Sequence, residues 1–451
     1  MSTDTGAVTA AAAAVTSAAV ATYISSDFDI FARKPIQSSV LDTTEIAFKP
    51  IASIGQNDLE FHIPAVSDLY TNLNIKLYVK GRLVKADGTS LAATDKTGVV
   101  NNLLHSLFSQ CAISLNGTSI TSASELYPYR SYLETIFLYG SDAAATHLTN
   151  GFWYIDDGTM LPCDPNVASP PNRGFVVRYN KIKQSREIEL YGLLHADICN
   201  VSQLLLPGVS IQIKLTKARS AFYIMDTAAD SKARFEFIDA QLLVKRVRPN
   251  PSILLAHNAV LSKGEPARYN VTRVELKTFT FPKGLKSLSI DHAIIGTIPK
   301  RVVFVMLKNT DLAGSTDSNP FYFRHYDITN FALYKNGVQI PTNGLVVDMT
   351  DSKLSVMAYR ALYEAAGIHH TDSGLQVTHE MFVSGFFMLP YDLTPDQSAT
   401  ERHTSHPDSG DIRAELQFAK ELPEAITCLL YCEYDNSIRI DHSRTVATDF
   451  F

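Results

Sequence analysis

An internal duplication constrains this chain more than any other feature, because a repeat shows how many units of one kind the fold must contain. Residues 113–120 read ISLNGTSI, and residues 333–340 read LYKNGVQI. In both segments an apolar strand surrounds an Asn-Gly dipeptide, and an isoleucine stands three residues after the glycine. Asn-Gly is the dipeptide most typical of a two-residue type I′ hairpin turn. We therefore predict that Asn116-Gly117 and Asn336-Gly337 form equivalent hairpin turns in two related domains.

Four further matches follow the same order along the chain. The most distinctive is the pattern Y-R-x-φ-φ-E, where φ is apolar; it places Arg130 and Glu134 in one copy and Arg360 and Glu364 in the other. Weaker matches pair residues 74–80 with 301–307, 192–194 with 385–387, and 208–215 with 410–416. Five matches in one order, at offsets of roughly 195–230 residues, predict two homologous domains.

Most of the chain beyond residue 27 alternates apolar and polar residues, which is typical of half-buried strands. Clear examples are residues 44–49, 59–63 and 74–80. Residues 99–108 and 127–138 have helical spacing of apolar residues instead. These patterns predict an all-β fold of two tandem jelly-roll barrels, a double jelly roll, with short helices in the loops.

The sequence RPNP at residues 248–251 leads into a segment with little pattern, and we place the domain boundary there. The predicted organisation is an N-terminal interior arm (1–27), a first jelly roll (28–250), a linker (251–262), a second jelly roll (263–442) and a C-terminal tail (443–451).

Composition limits the classes of function. The chain has 40 Lys and Arg against 46 Asp and Glu, a net charge of −6, so we expect no direct nucleic-acid binding through its surface. Five widely spaced cysteines fit a reducing compartment rather than a disulfide scaffold. The first basic residue is Arg33, so no signal peptide is expected in the Ala-rich N-terminus.

The motifs of common catalytic sites are missing, including a nucleophile elbow, a phosphate-binding loop, H-E-x-x-H and C-x-x-C. We therefore expect no enzyme activity, no cofactor and no metal. His369-His370 and the group His403, His406 and Asp408 could suggest a metal site, but they lie in loop-like sequence without further ligands at defined spacing. The pairs Arg130/Glu134 and Arg360/Glu364 are spaced i, i+4 and are interpreted as surface helix pairs or as contacts between subunits.

Three segments also resemble a known family: NNLLHSLF at residues 101–108, ISLNG at 113–117, and LYPYRSYL at 126–133. They resemble the hexon-type major capsid proteins of adintoviruses and Polinton/Maverick elements, copies of which also occur in animal genomes. The resemblance implies a double jelly roll. It also implies a major capsid protein whose trimeric, pseudo-hexagonal capsomers tile the icosahedral capsid of a double-stranded DNA virus or virus-like element.

The partners implied are two further copies in a homotrimer, neighbouring capsomers, and penton and minor capsid proteins. The expected location is the virion, after assembly inside the host cell, and the arm at residues 1–27 is expected to contact a neighbour or an internal membrane. Two alternatives stay open at this point: an enzyme that acts on glycans with two packed jelly rolls, and a receptor-binding spike protein.

Overall fold

The structure is a computed structural model. It describes residues 36–448 except 56–57, 122–123, 228–231, 346, 354, 369–371, 373 and 402. Residues 41–451 form one compact unit, and residues 36–40 are the described part of the other unit, Met1–Val40. The predicted arm at 1–27 and the His369-His370 pair lie outside the described residues.

The first barrel consists of two antiparallel sheets. One has the order β1-β11-β4-β8 with β3 also paired to β11, and the other has the order β2-β9-β6-β7. The short strands β5 and β10 pair with each other. The bounds are β1 Val40–Phe48, β2 Leu59–Ile63, β3 Tyr70–Thr71, β4 Lys76–Val84, β5 Gly98–Val99, β6 Phe108–Leu115, β7 Thr118–Ser119, β8 Ile188–Leu193, β9 Ile211–Lys217, β10 Ile224–Met225 and β11 Arg234–Pro249.

The second barrel repeats the order of the four main strands in each sheet, whereas β3 and the β5–β10 pair have no counterpart among its described strands. Its sheets have the orders β12-β19-β14-β17, with β20 paired to β19, and β13-β18-β15-β16. The bounds are β12 Ala267–Phe281, β13 Ser287–Thr297, β14 Arg301–Lys308, β15 Ile328–Lys335, β16 Val338–Leu345, β17 Met388–Asp392, β18 Ser409–Phe418, β19 Ile426–Ile440 and β20 Val446–Thr448. The double jelly roll predicted from the sequence is therefore confirmed.

Alternation of side chains explains why these segments form strands. In β2, Leu59, Phe61 and Ile63 point into the first barrel and are buried, while Glu60 and His62 face outward. Strand β19 differs, because its first nine residues are all buried. A strand buried on both faces needs a covering layer outside the barrel, and in this fold the first barrel supplies it.

Helices lie mainly in the long connections. Their bounds are α1 Leu103–Ser106, α2 Tyr127–Leu138, α3 Ser141–Ala145, α4 Arg173–Ile182, α5 Ser220–Tyr223, α6 Pro251–Ser262, α7 Asn309–Leu312, α8 Val356–Glu364 and α9 His379–Ser384, with single 3₁₀ turns at His147–Gly151, Lys183–Ser185, Asp197–Asn200 and Thr350–Ser352.

Two sequence expectations differ from these helices. The helix expected over residues 99–108 is only α1, because Asn102 before it has a left-handed φ of 59° and Phe108 already begins β6. The unpatterned linker at 251–262 is the helix α6, which Asn250 caps by accepting a hydrogen bond from the Ser252 amide. Only Leu261 of this helix is buried.

The two ends of each barrel differ. The turns after Leu115 and Lys335 lie at one end, which we call the turn end, together with α6 and residues 441–445. The opposite end, the loop end, is where β4 reaches Val84 and where β8 begins. Helices α2 and α8 belong to connections that start from β7 and β16 toward this loop end.

Candidate functional site

The Asn-Gly dipeptides occupy the two-residue turns β6–β7 and β15–β16. Asn116 and Gly117 have φ values of 46° and 83°, and Asn336 and Gly337 have φ values of 50° and 78°. Two consecutive positive φ angles define the type I′ turn. A side chain on either glycine would meet no atom within 4 Å, so backbone conformation alone requires glycine there.

Each turn asparagine also holds the neighbouring strand. The Asn116 side-chain oxygen accepts hydrogen bonds from the Ser210 amide (2.8 Å) and the Ser210 hydroxyl (3.0 Å), just before β9. The Asn336 side-chain oxygen accepts one from the Asp411 amide (2.9 Å), at the start of β18. The same side-chain hydrogen bond between a hairpin turn and its neighbouring strand is therefore present in both barrels.

The helix α2 forms the centre of the seam between the two barrels. The Tyr132 ring stacks on Phe321 of the second barrel, with ring centroids 4.0 Å apart and planes nearly parallel, and Tyr129 meets the same ring edge-on. The only tryptophan of the chain, Trp153, donates a hydrogen bond from its ring nitrogen to the Gln376 side chain (2.7 Å). Aromatic contacts of this kind give the seam a closely packed centre.

A buried ionic network crosses this seam. Arg130 donates to Glu134 (2.8 Å) and pairs with Asp197 (2.7 Å). Asp197 in turn accepts a hydrogen bond from the Val274 amide of β12 (3.2 Å), and Glu134 lies 2.6 Å from the His195 ring nitrogen. The Arg130 and Glu134 side chains are only 9% and 5% exposed.

The interpretation of Arg130 and Glu134 as a surface helix pair is therefore wrong. The i, i+4 ion pair forms as the spacing suggests, but the second barrel covers it. Arg360 and Glu364 make the same contact at 2.7 Å with side chains 49% and 39% exposed, as expected of a surface pair. Sequence alone could not separate the two copies, because the same motif lies in both and the covering layer comes from distant residues.

Electrostatics in the network follow from burial and charge. Burial disfavours the charged form of Glu134, but Arg130 and the hydrogen bond from His195 outweigh it and lower the pKa of Glu134 to about 2. Burial raises the pKa of Asp197 despite Arg130. Burial, with His195 close by, holds the pKa of the His105 ring well below its usual value. The seam thus contains the buried ion pair Arg130–Glu134, whose partners must stay in place.

A second hub, which the sequence did not reveal, is centred on Asp156. One carboxylate oxygen accepts hydrogen bonds from Arg178 (2.5 Å) and Asn172 (2.9 Å), and the other accepts one from Asn319 of the second barrel (3.0 Å). Arg178 also donates to the Val99 carbonyl (2.8 Å), and both charged side chains have no exposed surface. Arg178 lies on α4 and Asp156 lies in a loop, so the spacing of residues in the sequence could not predict their contact.

At the turn end the chain's last segment closes the seam. Arg444 donates to the Pro207 carbonyl (2.7 Å), and its own carbonyl accepts a hydrogen bond from the Asn116 side-chain amide (2.9 Å). Tyr269 of β12 donates to the Leu204 carbonyl (3.2 Å) and accepts from the Leu206 amide (3.0 Å). Contacts at the turn end and around α2 therefore fix the two barrels side by side in one orientation.

A cavity of about 260 Å³ lies beside the first-barrel half of the network. It is lined by aromatic and basic side chains, among them His105, His147, His195, Lys76 and Tyr191. Among the described residues no group of three or more His, Cys, Asp or Glu side chains could hold a metal ion. His403 pairs with Asp396 (3.1 Å), and Asp408 pairs with Lys335 (2.7 Å), so these loop residues serve local contacts.

All five cysteines are buried and unpaired. Within the described part of the chain, no helix has the length and apolar character needed to span a membrane.

Comparison with known proteins supports the fold. No family model matches the chain. The uncharacterised protein F54H12.2 of Caenorhabditis elegans is 22% identical over 361 residues, which are 78% of this chain and 81% of that protein. Among solved structures, a chain of the Sputnik virophage has a TM-score of 0.55 at 11% identity and covers 96% of this chain and 93% of its own.

Two further structures have the same kind of similarity. A chain of the PBCV-1 virus capsid has a TM-score of 0.56 at 11% identity, with 93% of this chain and 99% of that chain covered. The Faustovirus major capsid protein has a TM-score of 0.51 at 9% identity, with 91% and 92% covered. The similarity extends over both barrels, so this chain has the double jelly-roll fold of these viral proteins.

Proposed function

We propose that this protein is a major capsid protein, which assembles into trimeric, pseudo-hexagonal capsomers and tiles an icosahedral capsid of a double-stranded DNA virus or virus-like element. The observation that carries the proposal is the pair of matching barrels held in one fixed orientation by the seam. Three such chains place six similar barrels around one axis, and repeated lateral contacts of that unit can cover a curved shell.

The architecture of the seam suits a structural role. Its charged groups connect the two barrels: Arg130 pairs with Asp197, which accepts a hydrogen bond from the Val274 amide of the second barrel, and Asp156 accepts one from Asn319 of the second barrel. A connected polar network of this kind specifies one arrangement of the two barrels. The fold likeness to viral capsid chains supports the same reading.

The lineage and the partners are part of the proposal. The segments that resemble adintovirus and Polinton/Maverick capsid proteins support the proposal that this chain belongs to that group, either as a viral copy or as one integrated in a genome. Its partners are then a homotrimer, neighbouring capsomers, and penton and minor capsid proteins, and its location is the virion. The proposed organisation is an interior arm at residues 1–27 and jelly rolls at 28–250 and 263–442. The expected tail at 443–451 needs a correction, because its residues Val446–Thr448 are the strand β20, which pairs with β19 of the second barrel.

The direct test is the native mass of the full-length recombinant chain, followed by electron microscopy. We expect a particle three times the 49.7 kDa chain mass, with a pseudo-hexagonal outline. A stable monomer at micromolar concentration, in light scattering and native mass spectrometry alike, would contradict the capsid proposal, because subunits of an obligate assembly, whose interfaces bury more than roughly 2,000 Å², are expected to stay associated.

A further inference from the structure

The cavity beside the seam extends from an exposed rim to a buried floor. His147 at the rim is exposed, whereas His105 and Trp153 at the floor are buried. The rings of Tyr139 and Tyr191 also line it. Its volume of about 260 Å³ exceeds the roughly 150 Å³ of a cavity that holds one benzene molecule. Size and aromatic lining therefore suit a fused or substituted flat ring.

The charge of the lining has one sign. It contains Lys76 and three histidines, and no aspartate or glutamate is among the described residues that line it. The Lys76 ammonium pairs with Glu45 at 3.2 Å and lies 5.8 Å from the centre of the Tyr191 ring. An ammonium group has three N–H donors, so Lys76 can bind a further oxygen without giving up Glu45. Such a lining is complementary to an anionic ligand.

The buried His105 ring has an unused donor at the floor of the cavity. Its Nδ1 atom lies 2.9 Å from the Tyr127 hydroxyl, which also accepts a hydrogen bond from the His195 amide (3.4 Å). That amide can only donate, so the Tyr127 proton goes to Nδ1. Burial holds the pKa of His105 well below its usual value, so the ring is neutral and carries its one proton on Nε2. Among the described residues no hydrogen bond uses this Nε2 atom, which lies 3.5 Å from where a Cβ on Gly192, another lining residue, would stand.

The neighbouring His195 ring is oriented in a similar way. Its Nδ1 atom lies 2.6 Å from a Glu134 carboxylate oxygen. The pKa of Glu134 is about 2, so this oxygen is ionised and accepts the Nδ1 proton. In the part of the chain that the structure describes, the second nitrogen, Nε2, makes no hydrogen bond. The His195 and His105 rings meet edge-on with centroids 4.6 Å apart, so two adjacent histidines each have one nitrogen to offer to a ligand.

We propose that this cavity binds a small, flat ring compound that carries one anionic oxygen group, a carboxylate or a phosphate. The ring packs among the aromatic side chains, and the oxygens accept hydrogen bonds from His105, His195 and the Lys76 ammonium. The site belongs to a single chain, and the proposal goes beyond the capsid function without depending on it. The ligand also contacts Trp153, which bonds to Gln376 across the seam, so binding stabilises the contact between the barrels.

Saturation-transfer NMR on the full-length chain tests the ligand class. The probes are naphthoate, naphthyl phosphate and the neutral naphthamide, all substituted at the same ring position. At least one of the two anions is expected to bind with a dissociation constant of about 1 mM or tighter, and at least about fivefold tighter than the amide. The tighter of the two anions assigns the natural ligand to carboxylates or to phosphate esters. No saturable binding, or equal binding of the amide and both anions, would overturn the proposal.

A side chain that fills the cavity locates the binding. Gly151 lines the cavity, and a Cβ there would meet only the Tyr191 carbonyl oxygen, at 3.9 Å, so Gly151→Leu takes up the space without a close backbone contact. It is expected to weaken binding of the preferred anion at least about tenfold. Gly55→Leu is the matched control, because Gly55 is exposed and a Cβ there meets no atom within 4 Å. Equal affinities of the two variants would show that the probe binds elsewhere and overturn the proposal; far-UV circular dichroism checks that both are folded.

The variant Lys76→Gln tests recognition of the anionic group separately from packing of the ring. It is expected to weaken binding of the preferred anion at least about fivefold and to leave binding of the amide unchanged. The Lys76–Glu45 pair is partly exposed, so its loss has little effect on the fold. An unchanged affinity for the anion, or an equal loss for anion and amide, would contradict the proposal. These measurements use the chain in whatever oligomer it forms, so a negative result leaves the capsid proposal standing.

Discussion

Replacing Arg178 by methionine tests whether the buried hub holds the two barrels together. The substitution keeps most of the volume but removes the hydrogen bonds to Asp156 and the Val99 carbonyl. Asp156 then remains a fully buried carboxylate without its cation. Breaking one side of a buried ion pair costs about 3–5 kcal/mol. Arg413→Met provides the control, because Arg413 pairs with Glu415 at 2.7 Å but both are about 40% exposed, and exposed pairs contribute about 0–1 kcal/mol.

Urea unfolding measures the difference in stability between the Arg178→Met and Arg413→Met variants, and two probes follow the transition. Trp153 fluorescence reports the seam, since this single tryptophan bonds to Gln376 across it, and far-UV circular dichroism reports the strands. For an m-value near 3 kcal/mol/M, Arg178→Met should lower the midpoint by about 1 M or more. Adding Asp156→Asn to Arg178→Met should recover part of the loss, because the uncompensated charge is gone. A midpoint for Arg178→Met equal to that of Arg413→Met would refute the reasoning.

Three further predictions follow from other features. Gly117→Val and Gly337→Val should each lower the melting temperature or block assembly. A β-branched residue at a φ near 80° costs at least about 1–2 kcal/mol in backbone strain, and no steric clash adds to this cost. Unchanged melting curves would contradict this prediction. In the folded protein the pKa of Glu134 is about 2, below its ordinary value of 4.5. The ionised side chain therefore stabilises the fold above about pH 4.5, and this stabilisation is lost as the pH falls toward 2. Glu134→Gln should remove that part of the pH dependence of unfolding, worth about 3 kcal/mol, and an unaltered pH profile would count against it. Deletion of residues 2–24 should leave trimers intact but impair shell assembly, which electron microscopy of assembled particles measures; normal shells would argue against an assembly role for the arm.

Local pattern accounts for most of the fold. Alternation located β2 within its observed bounds, Leu59–Ile63, and helical spacing located α2 at Tyr127–Leu138. The helix expected over residues 99–108 was too long because periodicity does not detect the left-handed backbone of Asn102. The helix α4 was not predicted; its start depends on the Asn172 side chain, which caps it by accepting from the Phe175 amide.

The seam was beyond reach of the sequence for a different reason. Asp156 meets Asn319, 163 residues away, and Trp153 meets Gln376, 223 residues away. Such pairs arise only when two barrels are placed side by side, and neither strand periodicity nor turn chemistry specifies that placement. The repeat told us that two barrels exist, and the structure was needed to show which face of each is covered.

The duplicated Arg–Glu pair shows that the surroundings of a motif decide its energetics. Arg130 and Glu134 are desolvated in the seam between the barrels, with Asp197 and His195 as additional partners. A charge buried there without those partners would be costly, so all four side chains must be placed together. Arg360 and Glu364 keep the same ion pair with side chains 49% and 39% exposed, where water solvates both charges and the pair contributes little to stability. One motif therefore has two environments, and the residues that decide between them lie far away in the sequence.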